Sequence, residues 1–146
     1  MRSLELTKDD RRAIRDYQFL TSKQVIYAPN VGEDDLPEMD NDYVKAVRKV
    51  AAAEGAPVVP ICASIEDEIG QLEADEAAEF LADLGLDESG LDRLIGQCYL
   101  TLGLNTYLTS GKQEVRAWTV REGTCAPQAA AVIHTDFEKG FIRAEV

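Results

Sequence analysis

The chain has 146 residues, 15 Lys and Arg against 27 Asp and Glu, a net charge of -12 and 45% hydrophobic residues. This allows one ordinary domain, or one domain plus a fragment; a chain of this size buries about 68–70% of its unfolded surface, so a core is expected and disorder is not. The longest apolar stretch, residues 56–63 (APVVPICA), is far short of the ~20 residues of a membrane span, and MRSLELTKDDRR lacks the apolar core of a secretory signal, which makes the cytoplasm the expected location.

Cys62, Cys98 and Cys125 are odd in number and widely spaced, and His134 is the only histidine. No Cys/His spacing for a metal can be assembled from them, so no metal site is expected within the chain, and reduced thiols are expected rather than a disulfide framework. Charge is partitioned: residues 1–32 carry 6 basic and 4 acidic side chains, residues 33–92 carry 3 and 18, and residues 93–146 carry 6 and 5. The acidic middle would repel a polyanion, which leaves any nucleic-acid contact to the near-neutral ends. A solvated helical surface accounts for the acidic block without invoking a partner.

In chain order, Thr7 can cap a helix running to about Leu20, with Ala13, Ile14, Tyr17 and Leu20 on one face. Residues 24–28 (QVIYA) read as a strand leading into Pro29, Asn30, Gly32 and a long acidic loop. Tyr43, Val44, Val47, Val50 and Ala51 form the stripe of a helix capped at Asp40 or Asn41 and stopped by Gly55. Residues 57–62 (PVVPIC) suit a short parallel strand, so strand, loop, helix and strand make one βαβ crossover. Ser64 can cap a short helix through Leu72, and residues 76–84 form another, ended by Gly85. Ser89 and Asp92 resemble a capping box, opening a helix whose apolar face (Leu91, Leu94, Ile95, Cys98, Tyr99, Leu102) places Cys98 in the core. Residues 106–109 and 114–120 make a hairpin about a Ser-Gly-Lys turn. Pro127 can start a helix reaching His134, and residues 140–146 (GFIRAEV) alternate as a strand.

Chemistry-bearing patterns are few. No GxGxxG or GxxxxGK[ST] phosphate cradle occurs, and no nucleophile–base pair can be nominated, so no catalytic residue is assigned. The site-like feature is Asn30-Val31-Gly32-Glu33, at the C-terminal end of a predicted parallel strand, where ligands of open α/β sheets bind. An Asn amide can donate to a purine ring nitrogen and accept from an adenine amino group. A plain Asn/Gly turn leaving a strand would look the same. His134, between a helix and a turn, reads as a hydrogen-bonding structural residue. Trp118 and Phe141 with Arg116, Arg121, Lys139 and Arg143 could form a basic, aromatic face for RNA, or the rings could be core and the charges solvated.

Residues 84–95 (LGLDESGLDRLI), 114–120 (EVRAWTV), 123–130 (GTCAPQAA) and 132–146 (VIHTDFEKGFIRAEV) resemble the YchF family, the Obg-like P-loop ATPases of the TRAFAC class. The resemblance implies an ATP- and, in some members, GTP-hydrolysing switch with a coiled-coil insertion, a C-terminal TGS domain and ribosome association. It also implies a division: an α/β C-terminal part of the P-loop nucleotide-binding domain over residues 1–103, entered by the helix returning from the coiled coil, then the first half of a β-grasp-like TGS domain over 104–146. The P-loop, switches and catalytic histidine would lie before Met1, so ATP or GTP would be bound with Mg2+ only in the complete protein, and this chain alone would not hydrolyse it. Asn30 to Glu33 then corresponds to the family's NxxE base motif, in place of the NKxD of GTPases. The displaced Glu33 no longer meets the guanine edge, and Asn30 is left to read adenine. Cys62-Ala63-Ser64 resembles the second base-contacting loop, acting through backbone N–H groups. Pro29, beside the Asn, departs from the family's small residue and removes a backbone donor there. The other reading is a non-enzymatic RNA or ribosome interaction module, with no membrane partner in either case.

Overall fold

Three prolines decide where the first pairing of this chain can form. The computed structural model describes residues 4–112 and 114–143, which divide into two compact units, Met1–Cys98 and Tyr99–Val146. In the first, residues 27–31 and 57–61 run parallel: Tyr27 N–H donates to Pro57 O, Val59 N–H to Tyr27 O, Ile61 N–H to Pro29 O and Val31 N–H to Ile61 O, at 2.8–3.0 Å. A parallel ladder uses both backbone groups of alternate residues only. Pro57 supplies the carbonyl that opens the ladder, Pro29 supplies a carbonyl to Ile61 but has no N–H to give Val59 O between the two bridges, and Pro60 gives its carbonyl to the Arg93 Nη2 at 3.1 Å. Of the strand expected over residues 24–28 only Tyr27 pairs, and the parallel pairing is two isolated bridges, Tyr27 with Val58 and Asn30 with Ile61, because Pro29 cannot donate between them and Pro57 cannot extend them upstream.

Before the ladder, Thr7 caps α1 (Lys8–Ile14) reciprocally with Asp10: Thr7 Oγ1 accepts from Asp10 N–H and the Asp10 carboxylate accepts from Thr7 N–H and Oγ1–H. These donors hold the Asp10 carboxyl below its ordinary value of 3.8. The helix ends well before the expected Leu20. Residues 15–17 tighten into a 3-10 turn, Gln18 turns left-handed at φ 53°, and Tyr17 stacks on Phe19 with centroids 5.5 Å apart. The stripe meant to hold this helix, Tyr17 and Leu20 included, is exposed, and a stripe stabilises a helix only where it is buried.

The crossover helix α2 (Asp42–Glu54) begins and ends as its sequence dictates: Asn41 Oδ1 accepts from Val44 N–H, and Gly55 closes it at φ 65°. It contributes Val44 and Ala51 to the buried interior. The core cluster is Val31, Met39, Val44, Cys62 and Ile65, flanked by Leu36, Ile69, Phe80, Leu84 and Leu86. It takes one side chain from each ladder end, one from α3 (Ala63–Ile69), and Phe80 from α4 (Ala74–Asp83). Ser64 does not cap α3 but lies inside it; Cys62 occupies the cap position without a capping bond from its side chain.

Helix α5 (Gly90–Leu102) opens on the expected Ser89, whose Oγ accepts from Asp92 N–H and donates to the Asp92 carboxylate. Its apolar face is not core: Leu91, Ile95, Tyr99 and Leu102 are exposed and Cys98 is half-buried. Periodicity makes the helix amphipathic but supplies nothing to cover it. None of the described helices is long and apolar enough to cross a membrane.

In the second unit, β1 (Leu104–Ser110) and β2 (Val115–Arg121) pair antiparallel, with Tyr107 opposite Trp118, and the turn closes through Gly111 N–H to Glu114 O. Gly103 precedes β1 at φ 61° and accepts from Glu122 N–H, which pins the far end of the ribbon. Pro127 sits in the first turn of α6 (Ala126–Ile133), as expected, and the Tyr107 hydroxyl donates to Ala129 O of that helix. The sequence pattern missed α7 (Thr135–Lys139), which His134 caps by accepting from Asp136 N–H at Nδ1. The strand expected over residues 140–146 is not formed at 140–143, where Gly140 instead donates back to Asp136 O; residues 144–146 lie outside the described residues.

Asn41 both caps α2 and donates from Nδ2 to the Asp35 carboxylate at 2.8 Å. Replacing it by Ala is expected to lower stability by about 1–2 kcal/mol, measured by urea unfolding, with Asn41→Asp recovering the cap but not the second bond.

Candidate nucleotide-base site

The ladder sets the C-terminal ends of residues 27–31 and 57–61 side by side, with Asn30 bridged to Ile61. Val31 and Cys62, one residue past this bridge on each strand, are buried in the core. Asn30 is exposed, as are Ala63 and Ser64, so the outward residues of both ends meet above the core.

They are joined by one bond. Ala63 N–H donates to Asn30 Oδ1 at 2.9 Å. The first amides of a helix have no partner within it, and Cys62 offers none, so Asn30 caps α3 from the neighbouring strand. Only an amide oxygen can accept from Ala63, which fixes the orientation of the side chain. Its Nδ2 makes no hydrogen bond among the described residues and carries both donors outward. The expected two-sided match to a purine is thus asymmetric: the acceptor already serves Ala63, and the donor is available to a ring nitrogen.

The remaining motif residues take different parts. Val31 gives its side chain to the core and its N–H to Ile61 O, so it anchors the loop. Glu33 begins an exposed 3-10 turn over Glu33–Asp35. Asp35, which sequence reasoning passed over, closes that turn by accepting from Gly32 N–H at 3.3 Å and Asn41 Nδ2 at 2.8 Å. Ser64 Oγ lies 3.3 Å from Cys62 Sγ, which keeps the hydroxyl beside the loop.

A second residue was hidden in the acidic block. The Glu66 carboxylate of α3 accepts from Gly90 N–H at 2.7 Å and Leu91 N–H at 3.0 Å, at the start of α5. A carboxylate there meets unpaired amides and the positive end of the helix dipole. Only the pairing of α3 with α5 in three dimensions could have revealed this.

In the second unit Arg116, Arg121, Lys139 and Arg143 are all exposed. Arg116 lies over the Trp118 ring at 4.3 Å, and Trp118 Nε1 donates to Thr109 Oγ1 at 2.9 Å. Strand alternation puts Arg116 on the Trp118 face and Arg121 on the other. Among the described residues no group of three or more His, Cys, Asp or Glu is placed to hold a metal ion.

Residues 104–146 match the family model YchF-GTPase_C, described as "Protein of unknown function (DUF933)". The chain is 56% identical over 146 residues to "Ribosome-binding ATPase YchF" of Haemophilus influenzae, covering 100% of this chain and 40% of that protein. It is 49% identical over 145 residues to the protein of the same name in Bacillus subtilis, covering 99% and 40%. Among solved structures, "Structure of the Schizosaccharomyces pombe YchF GTPase" matches with a TM-score of 0.80 at 36% identity, over 97% of this chain and 38% of that one. The chain thus spans about two fifths of the length of these relatives.

Asn30→Ala is expected to speed hydrogen exchange of the Ala63 amide by about 3- to 10-fold, the value of one net hydrogen bond, whereas Asn30→Asp, which keeps an acceptor, leaves it protected. NMR-detected exchange at Ala63 reads this directly.

Proposed function

We propose that this chain, which matches YchF relatives along nearly its whole length, carries the purine-recognition loops of a cytoplasmic, ribosome-associated protein that binds and hydrolyses ATP, and possibly GTP, with Mg2+. In this reading residues 1–103 are the C-terminal part of the nucleotide domain and residues 104–146 the first half of a TGS domain. The chain recognises the base; the phosphates and their Mg2+ are held by segments that it does not contain, so alone it hydrolyses nothing.

The observation that carries the reading is the bond from Ala63 N–H to Asn30 Oδ1. It aligns the two loops expected to flank a base and aims the Asn30 amide donor outward, toward the imidazole-side nitrogen of a purine. That nitrogen is common to adenine and guanine, so Asn30 supplies affinity for both. Preference falls to Glu33, which opens an exposed turn where a GTPase would present an Asp to the guanine edge.

In the complete gene product containing this chain, Asn30→Ala is expected to weaken ATP binding by about 1–3 kcal/mol, the range of a good directed base contact, as measured by isothermal titration. Glu33→Asp should shift preference toward GTP. Val31→Lys is not a usable companion, because Val31 is 5% exposed and a lysine there would enter the core. ATP and GTP affinities indifferent to Asn30→Ala would refute the site.

For the second unit the proposed partner is the ribosome or RNA, through Arg116, Arg121, Lys139 and Arg143, the relatives being named for ribosome binding. Co-sedimentation with ribosomes at rising salt should weaken more steeply for the wild type than for an Arg116→Ala, Arg121→Ala, Arg143→Ala variant. Identical salt curves would remove these residues from the interface.

A further inference from the structure

We infer that the first turn of α5 sets the position of the second base loop, and that Glu66 is the positioning residue through which it does so. The inference rests on the base-site reading above and deepens it by naming what holds the loop in register for a purine.

The first turn of α5 touches the loop-bearing segment at three successive points. Arg93 Nη2 donates to Pro60 O at 3.1 Å. Gly90 lies against Ile61 so closely that a Cβ built on it would stand 3.0 Å from Ile61 Cγ2 and 2.8 Å from Glu66 Oε1. The Glu66 carboxylate, one turn into α3, accepts from Gly90 and Leu91 N–H at 2.7 and 3.0 Å. Between Ile61 and Glu66 lie Cys62, Ala63, Ser64 and the buried Ile65, so the loop is held on both sides by the same helix end.

The chemistry favours this over passive packing. A carboxylate accepting two backbone N–H bonds is a charge-assisted, two-point contact, stronger and more directional than an apolar one. It is also tied to the loop by the backbone: Glu66 N–H donates to Cys62 O at 3.0 Å in the first turn of α3. A shift of Glu66 therefore moves the turn that presents Ala63 N–H, and with it the Asn30 side chain bonded there. A Cβ at Gly90 would displace the mobile Glu66 carboxylate from the two N–H groups it accepts from and press on Ile61 Cγ2.

The test uses the complete gene product, with ATP as the probe that reads base and phosphates and inorganic tripolyphosphate as the probe that reads phosphates alone. Glu66→Ala and Gly90→Ala are each expected to weaken ATP about tenfold while tripolyphosphate is unchanged. Gly90→Ala keeps the carboxylate and gives the same readout if Glu66→Ala fails to fold. Ser89→Ala removes the helix's own cap without touching the loop, and should lower Tm while leaving both affinities in place. If ATP affinity merely follows Tm across the three variants, or if Glu66→Ala and Gly90→Ala leave ATP untouched while Asn30→Ala weakens it, Glu66 does not position the loop and the base site stands without it. If Asn30→Ala also leaves ATP untouched, the base site itself falls and the inference with it.

Discussion

One hydrogen bond, from Ala63 N–H to Asn30 Oδ1, ties together the two strand ends of the first unit. It satisfies the first amide of α3 in place of a local cap, joins two loops 33 positions apart, and commits one end of the Asn30 amide so that the other is turned outward. Directly beneath it Val31 and Cys62 enter the core, so the outward and inward residues of the two strand ends are complementary parts of one arrangement. Asparagine is the residue that fits. An aspartate would accept equally well from Ala63 but has no donor to offer, and a serine is too short to reach across from another strand.

Much of this was legible in the amino-acid order, because the signals were local. Asn41 and Gly55 bound α2 by capping chemistry that needs no tertiary information, and Ser89, Pro127 and the Ser-Gly-Lys turn did the same for their elements. The expected place of Asn30 at the C-terminal end of a parallel pairing is where the structure puts it. Val31 was grouped with it by adjacency, yet the alternation that exposes Asn30 buries Val31, which is why neighbouring motif residues play opposite parts.

What was not legible depended on what covers what. The stripes of Tyr17 and Leu20, and of Leu91, Ile95, Tyr99 and Leu102, have helical spacing and stay exposed; the first fails to sustain a helix past Ile14, and the second sits on a helix secured by its caps. Spacing reports that a face is apolar, and burial is decided elsewhere. Glu66 was invisible for the reverse reason. Within a run of acids it looked like solvated charge, but its carboxylate receives two N–H bonds from a helix 24 and 25 positions on. In a strongly acidic segment, a carboxylate aimed at the start of a helix distant in sequence differs from its neighbours in geometry alone.

The three prolines of the ladder have an entropic consequence. Pro29 gives up one ladder bond, to Val59 O, and Pro29, Pro57 and Pro60 each restrict their own φ and the conformation of the residue before them. Substitutions of this kind act by removing freedom from the unfolded chain. The two segments that lead into the Asn30 and Cys62–Ser64 loops are thus restrained before any ligand arrives. Since ordering is a principal cost of association, a base bound between these proline-braced strands, as proposed above, would lose less affinity to ordering the backbone.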